Sequence, residues 1–287
     1  PVDSALTKDG KFLLQGKVEV PALYGVFIDL TPDVNVDYQK DLRGSDIFVD
    51  NSDIQYTCAS IDSLPSRFNF QRKVAGKVTV SGSPTHDLYM KYRNAVKSSN
   101  MKKSEAWDKY LKTYHIPAGE GTFNTREGIA LVRQMDAVQK QIEQIQQDFI
   151  KANPQSPVAL GLVYGKQMTK KEMDQLLQSI DTSLWKAPAY KQLKESTGNL
   201  LPVAIGEKYL DIELIDETGK TVRLADYVKP GQYNMVEFWA SWCGPCRYEI
   251  PHLRHVYEAY GKDGLNMISV SIDNKDKDWK AALKEEK

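Results

Sequence analysis

WASWCGPC (239–246) decides how this chain is read. It holds two of the three cysteines, Cys243 and Cys246, with Gly244 and Pro245 between them. Such a pair can be half a metal site, a structural staple or a reversible redox switch. Its surroundings select among these. NMVEFWA (234–240) just before it is an apolar, strand-like run, and LNMISVSI (265–272) after it is a second. Between them, Pro245 to about Tyr260 places apolar Ile250, Leu253, Val256 and Tyr257 at helical spacing. Strand, helix and strand in that order make a right-handed unit with parallel strands. The pair therefore lies at a strand-to-helix junction.

The first turn of a helix has free N–H groups and a partial positive charge, and both stabilise a thiolate at Cys243. Pro245 suits that turn because its missing N–H is not needed there. Cys246 lies one turn on, within disulfide reach and expected to be the more shielded thiol. The labour divides accordingly: Cys243 attacks a target disulfide, and Cys246 resolves the mixed disulfide. Trp242 is expected to shield one side. Two carboxylates are candidates for moving the protons. Glu237, on the entering strand and on the same face as Trp239, is expected to be buried. Glu249 shares a helix face with Cys246.

Zinc is the rival for a CxxC, and His252 and His255 complete a Cys-x2-Cys-x5-His-x2-His spacing. All four lie on one helix, however, and at about 100° per residue the histidines point away from the cysteines. A zinc site needs a chain reversal between its ligand pairs. No metal is expected, and no cofactor beyond the Cys243–Cys246 disulfide itself. His86 and His115 are read as lone surface histidines. Cys58 is read as a buried structural thiol in a strand. Peroxide chemistry is a further alternative, disfavoured because Ala240 stands three residues before Cys243, where peroxiredoxins carry Thr.

Working outward, the 287 residues suggest more than one domain. Hydrophobic residues at 41% and charged residues at 26% are ordinary for a globular chain. Lys+Arg and Asp+Glu both number 38, so nothing attracts a polyanion and no nucleic-acid partner is expected. No apolar run approaches a membrane span. Three cysteines are too few for a disulfide scaffold. The chain begins with Pro1 and shows no signal sequence, so localisation is not read from its start.

Residues 1–82 read as a mostly β module. Its expected strands lie in 11–20, 24–30, 73–82, and two within 45–61 about Asp50-Asn51. Residues 83–200 read as a helical connecting region, opening at Ser83-Pro84. Asn124 with Glu127 and Thr169 with Glu172 mark later helix starts, and Ser156-Pro157 begins a short helix. Met135, Val138, Ile142, Ile145 and Phe149 form an apolar stripe facing a core or a partner. Residues 201–287 begin with a hairpin, 209–216 with 221–224, and continue into the strand–helix–strand unit.

VEFWASWCGPCRYEIPHL (236–253) resembles the active-site segment of thioredoxin-fold proteins, most of all the envelope-anchored thiol-disulfide oxidoreductases of the TlpA/ResA type. The hairpin segment 205–233 resembles their lead-in, and SVSIDNKDKDWKAALKE (269–285) their next strand and helix. The resemblance implies an α/β thioredoxin-like C-terminal domain preceded by a mostly β domain and a helical segment. It makes Cys243 the nucleophile, Cys246 the resolving thiol and Glu249 the nearby acid. Glu237 falls where thioredoxin has a buried Asp. Segments 3–18 and 48–56 resemble an N-terminal β domain of unknown function found in bacterial envelope proteins.

Together these imply an exported protein of the periplasm or cell envelope, with a lipid anchor outside these residues as one option. Its partners would be protein disulfides or dithiols and an upstream thiol electron donor. Thioredoxin folds continue past this point with a cis-proline strand and a last helix. Those are absent from the 287 residues, so the expectation is a thioredoxin fold incomplete at its C-terminal end. The competing function is a protein-binding envelope module that uses the fold as a scaffold.

Overall fold

The computed structural model describes residues 3–67, 78–163, 169–200 and 206–286. Of the expected strand 73–82, residues 73–77 lie outside the described residues. The chain divides into two compact units, Pro1–Asn100 with Lys140–Ala204, and Met101–Gln139 with Ile205–Lys287.

In the first unit, β1 (Ala22–Asp29) pairs antiparallel with β2 (Leu42–Val49), Ala22 opposite Val49 and Asp29 opposite Leu42. Gly44 permits this pairing, since a Cβ there would collide with the Val26 carbonyl. β3 (Gln55–Cys58) pairs antiparallel with β4 (Val78–Ser81). Cys58 is half-buried rather than buried, because its strand is half of a two-stranded ribbon. The stretch 11–20 does not form a strand; only Lys11 makes a bridge, to Lys8. Its backbone is held at one point by a side chain. The Val18 N–H donates to Asn51 Oδ1 at 2.9 Å, and Asn51 Nδ2 donates to the Val18 carbonyl at 2.8 Å.

Helix α1 (Pro84–Tyr110) begins after buried Ser83, whose Oγ accepts the His86 N–H at 3.0 Å and donates to Asp50 at 2.8 Å. His86 is buried, not a surface residue. Its Nδ1 accepts the Phe48 N–H at 3.3 Å, and burial pushes its pKa down. Helix α2 (Ile116–Gly119) is short and belongs to the second unit, and the long α3 (Thr125–Ala152) begins in the second unit and ends in the first. On α3, Met135, Val138 and Ile142 are buried, with Ile145 and Phe149 half-buried, so the stripe is core-facing. Helices α4 (Pro157–Val163), α5 (Lys170–Ser179) and α6 (Pro188–Gly198) complete the first unit. The Thr169–Glu172 capping box opens α5. Ile150, Leu160, Val163, Leu177 and Leu193 meet in its core.

In the second unit, β5 (Glu213–Ile215) and β6 (Thr221–Arg223) form an antiparallel hairpin. The Asp216 carboxylate closes the turn by accepting from the Thr218 and Lys220 N–H groups, and Gly219 takes the positive φ of 86° that the turn needs. β7 (Tyr233–Trp239) runs parallel to β8 (Leu265–Ser271), Tyr233 opposite Leu265 and Trp239 opposite Ser271. Helix α7 (Gly244–Tyr260) joins them, and α8 (Asp276–Glu285) follows. This is the strand–helix–strand unit read from the sequence. β7 is less buried than its apolar sequence suggests, with Phe238 55% exposed and Trp239 5%. Parallel strands are enclosed when flanked by neighbours and covered on both faces. Among the described residues β7 pairs only with β8.

Candidate functional site

β7 ends at buried Trp239 and buried Ala240, and the chain then turns into α7. The turn is braced on both sides. The Ile272 N–H donates to the Trp239 carbonyl at 2.9 Å, and the Cys243 N–H to the Ala240 carbonyl at 3.0 Å. Asp273 accepts from the Ser241 N–H at 2.9 Å, the Ser241 hydroxyl at 2.6 Å and the Ser271 hydroxyl at 2.7 Å. Burial pushes the Asp273 pKa up, but the serine hydrogen bonds outweigh it and hold the carboxyl below its ordinary value. A carboxylate thus clamps the residue two before Cys243.

Cys243 is the N-cap of α7. Its Sγ accepts the Cys246 N–H at 3.3 Å, and its carbonyl accepts the Arg247 N–H at 3.0 Å. The sulfur thus takes one of the free amides that a serine or aspartate usually caps. Gly244 and Pro245 form the first turn. Cys243 and Cys246 are joined as a disulfide, with Cα atoms 5.3 Å apart. Both are half-buried, so Cys246 is not in a more shielded class than Cys243. Trp242 is 71% exposed and flanks the pair without covering it.

Glu237 departs from expectation. It is half-buried rather than buried, and Ser269, directly opposite in the parallel register, donates its hydroxyl to it at 2.7 Å. Its partner is a strand neighbour, not a thiol. Glu249 pairs with His115 Nδ1 at 3.2 Å. His115 is therefore neither lone nor surface. It closes a π-helical turn, Leu111–His115, between α1 and α2, a geometry that recurs at functional positions.

His252 is the buried residue of α7, at 5% exposure. Its Nδ1 lies 3.5 Å from the Tyr114 hydroxyl, and its ring stacks against His115 at 5.5 Å. His255 stacks on Phe123 at 3.8 Å. Gly119 lets the Tyr248 ring approach, since a Cβ there would come within 2.6 Å of its hydroxyl. Burial first, and then the charge of Glu249, push the Tyr110 and Tyr114 phenols up.

Sequence reasoning did not single out Asp273, Ser241, Tyr114 or the partnership of His115. Asp273 had a signal: it directly follows a strand that is parallel to the one before the cysteines, and groups at the C-terminal ends of such strands gather at the site. His115 had a weaker one, the aromatic spacing of Trp107, Tyr110 and Tyr114 along one helix.

A parallel strand–helix–strand with CxxC at the start of its helix defines a thioredoxin-like segment. Comparison with known proteins agrees. Residues 205–287 match the AhpC/TSA family, and residues 1–89 match a domain of unknown function, DUF4369. A thiol-disulfide oxidoreductase ResA of Geobacillus thermodenitrificans is 36% identical over 70 residues, which are 24% of this chain and 39% of that protein. The sporulation thiol-disulfide oxidoreductase A of Bacillus subtilis is 35% identical over 57 residues, 19% of this chain and 34% of that protein. Among solved structures, the thioredoxin domain of a thiol-disulfide oxidoreductase from Bacteroides vulgatus is 37% identical, covering 29% of this chain and 59% of that one, with a TM-score of 0.27. The chain thus spans about 39% of the ResA protein's length. Residues 205–287 are thus similar to ResA-type thiol-disulfide oxidoreductases, and the regular elements described before α1, in the part matching DUF4369, are mainly short strands. Among the described residues, no helix is long and apolar enough to cross a membrane.

Proposed function

We propose that the protein is a thiol-disulfide oxidoreductase that reduces disulfides of other proteins in the bacterial envelope. The observation that carries this is the Cys243–Cys246 disulfide at the first turn of α7, with the Cys246 amide aimed at the Cys243 sulfur. In the reduced form the helix N-terminus favours the Cys243 thiolate. The thiolate attacks a target disulfide, forming one S–S bond and releasing the target's other sulfur as a thiolate. Cys246 then gives up its proton and attacks the Cys243 sulfur. The internal disulfide closes, the target leaves with both sulfurs reduced, and two electrons have passed to it. An upstream dithiol must reopen the pair.

Glu249 is the candidate acceptor of the Cys246 proton, three residues away on the same helix, and Glu237 is a second, more remote candidate. Trp239, Trp242, Gly244 and Pro245 shape the site, and Asp273 positions its loop. No cofactor besides the disulfide enters these steps. The resemblance to envelope-anchored TlpA/ResA-type proteins supports the envelope assignment. Protein substrates and an upstream thiol donor follow from the chemistry.

Turnover of a protein disulfide such as that of insulin, driven by dithiothreitol, tests the proposal. Cys243→Ser is expected to abolish the catalysed rate. Cys246→Ser is expected to accumulate a covalent mixed disulfide with the target, visible by mass. If the double Cys→Ser variant binds envelope partners as well as the wild type and the wild type reduces nothing, the fold is a docking scaffold. Rapid peroxide consumption that depends on Cys243 would make it a peroxidase.

A further inference from the structure

The most unusual group in the second unit is not a thiol. His252 is buried, and its Nε2 has no hydrogen-bond partner, the one buried side-chain nitrogen or oxygen in that state among the described residues. An orphaned imidazole nitrogen away from water is costly, and such a group in a native fold calls for an explanation, a bound ion being one. Around it stand two further donors. One ligating atom each from His115, Glu249 and His252 fall within 4.8 Å of one another.

We propose that His115, Glu249 and His252 bind a divalent transition-metal cation, zinc being the representative ion. Two imidazoles and one carboxylate suit borderline cations, and three protein ligands leave a fourth position for water or another donor. The 3.2 Å between His115 Nδ1 and Glu249 Oε1 is close to the edge of a tetrahedron with metal–ligand bonds of about 2.0 Å. Ligating histidines commonly hydrogen-bond through their other ring nitrogen, which fixes the ring. The Tyr114 hydroxyl at 3.5 Å from His252 Nδ1 is placed for that role and leaves Nε2 as the ligating nitrogen. Glu249 is 45% exposed on its side chain, so an ion has a way in from solvent. The aromatic rings of Phe123 and Tyr248 pack against the two histidines and hold them in place.

This site differs from the Cys-x2-Cys-x5-His-x2-His arrangement weighed from the sequence. It uses neither cysteine, and it takes its first ligand from the π-helical turn before α2. It also departs from the expectation of no metal. The ligands are available with the disulfide closed, so binding is read without thiol chemistry, but an ion bound there withdraws Glu249 from the proton-accepting role proposed above.

The test is titration of the full chain with Co2+ and then Zn2+, in a Cys58→Ala background with the Cys243–Cys246 disulfide intact. The expected result is one bound Co2+ with visible d–d absorption, no thiolate charge-transfer band, and displacement by Zn2+. His115→Ala and Glu249→Gln, both at partly exposed positions, are each expected to weaken binding at least about tenfold, while circular dichroism shows an unchanged fold. His255→Ala is expected to leave binding as it was. Three results would overturn the proposal: no Co2+ or Zn2+ binding, binding that neither His115→Ala nor Glu249→Gln weakens, or a spectrum dominated by thiolate.

Discussion

Helix α7 carries two reactive clusters, and they are built on opposite plans. At its first turn, Cys243 and Cys246 need nothing but each other and the helix N-terminus, and they stay half open to solvent. Two turns on, Glu249 and His252 are completed by His115 and Tyr114 from the π-helical turn that follows α1, and the imidazole of His252 is sealed from solvent. The first cluster is local chemistry on a local element. The second exists only because distant segments fold against each other. A perturbation of tertiary packing should therefore damage the second cluster far more than the first, which supplies a way to break the comparison.

The largest effect is expected from Trp239→Ala. Trp239 is buried at the end of β7, where its carbonyl also takes the Ile272 amide. Deleting a buried indole costs about 3–5 kcal/mol, read as a shift of the denaturant midpoint at unchanged slope. At denaturant concentrations where the variant is partly unfolded, the tyrosine titrations of the second cluster should collapse toward free phenol. Closure of the disulfide should persist in part, since it needs only four residues. If both respond equally, the two plans are not distinct.

That difference in plan also explains what the sequence could reveal. The CxxC, the strands on either side and the helix between them were all legible, because each depends on neighbours within a few residues. The hairpin 209–224 and the Thr169 capping box were legible for the same reason. Segment 11–20 reads as a strand from its residue types yet forms none, because β-branched and aromatic residues say nothing about whether a partner edge exists. Glu237 was expected to be buried from its apolar neighbours along the chain, yet its environment is set by Ser269 across the sheet. His115 and His86 looked isolated because their partners lie far away in sequence: Glu249 for one, the Phe48 amide for the other.

A smaller effect is expected from Asp273→Asn. The carboxylate holds Ser241 with two hydrogen bonds and Ser271 with a third. Hydrogen bonds to a charged group contribute about 1.5–3 kcal/mol where they are shielded, and the half-exposed position puts the loss toward the low end. The carboxyl titrates below its ordinary value in the folded chain. Its contribution is therefore present above the unfolded value of about 3.9 and is lost as pH falls through the lower folded value. Unfolding measured from pH 6 down to pH 2 should show the wild type losing its advantage over Asp273→Asn at the acid end. An advantage that grows as pH falls would contradict the clamp.

The smallest effect sharpens the second cluster. Tyr110 and Tyr114 are raised first by burial and then by the negative charge of Glu249. Glu249→Gln should lower both phenol titrations in an ultraviolet pH titration while leaving them above the ordinary value of about 10, because burial remains. No movement at all would mean that the carboxylate does not face these rings.

The central claim is that Cys243 and Cys246 form one redox couple. The most direct measurement equilibrates the Cys58→Ala protein in graded ratios of reduced and oxidised dithiothreitol, tags free thiols and counts tags by mass spectrometry. Two tags should disappear together, at a single potential that states which way electrons flow to a partner. A pair that never closes, or closes only under harsh oxidants, would contradict the oxidoreductase account.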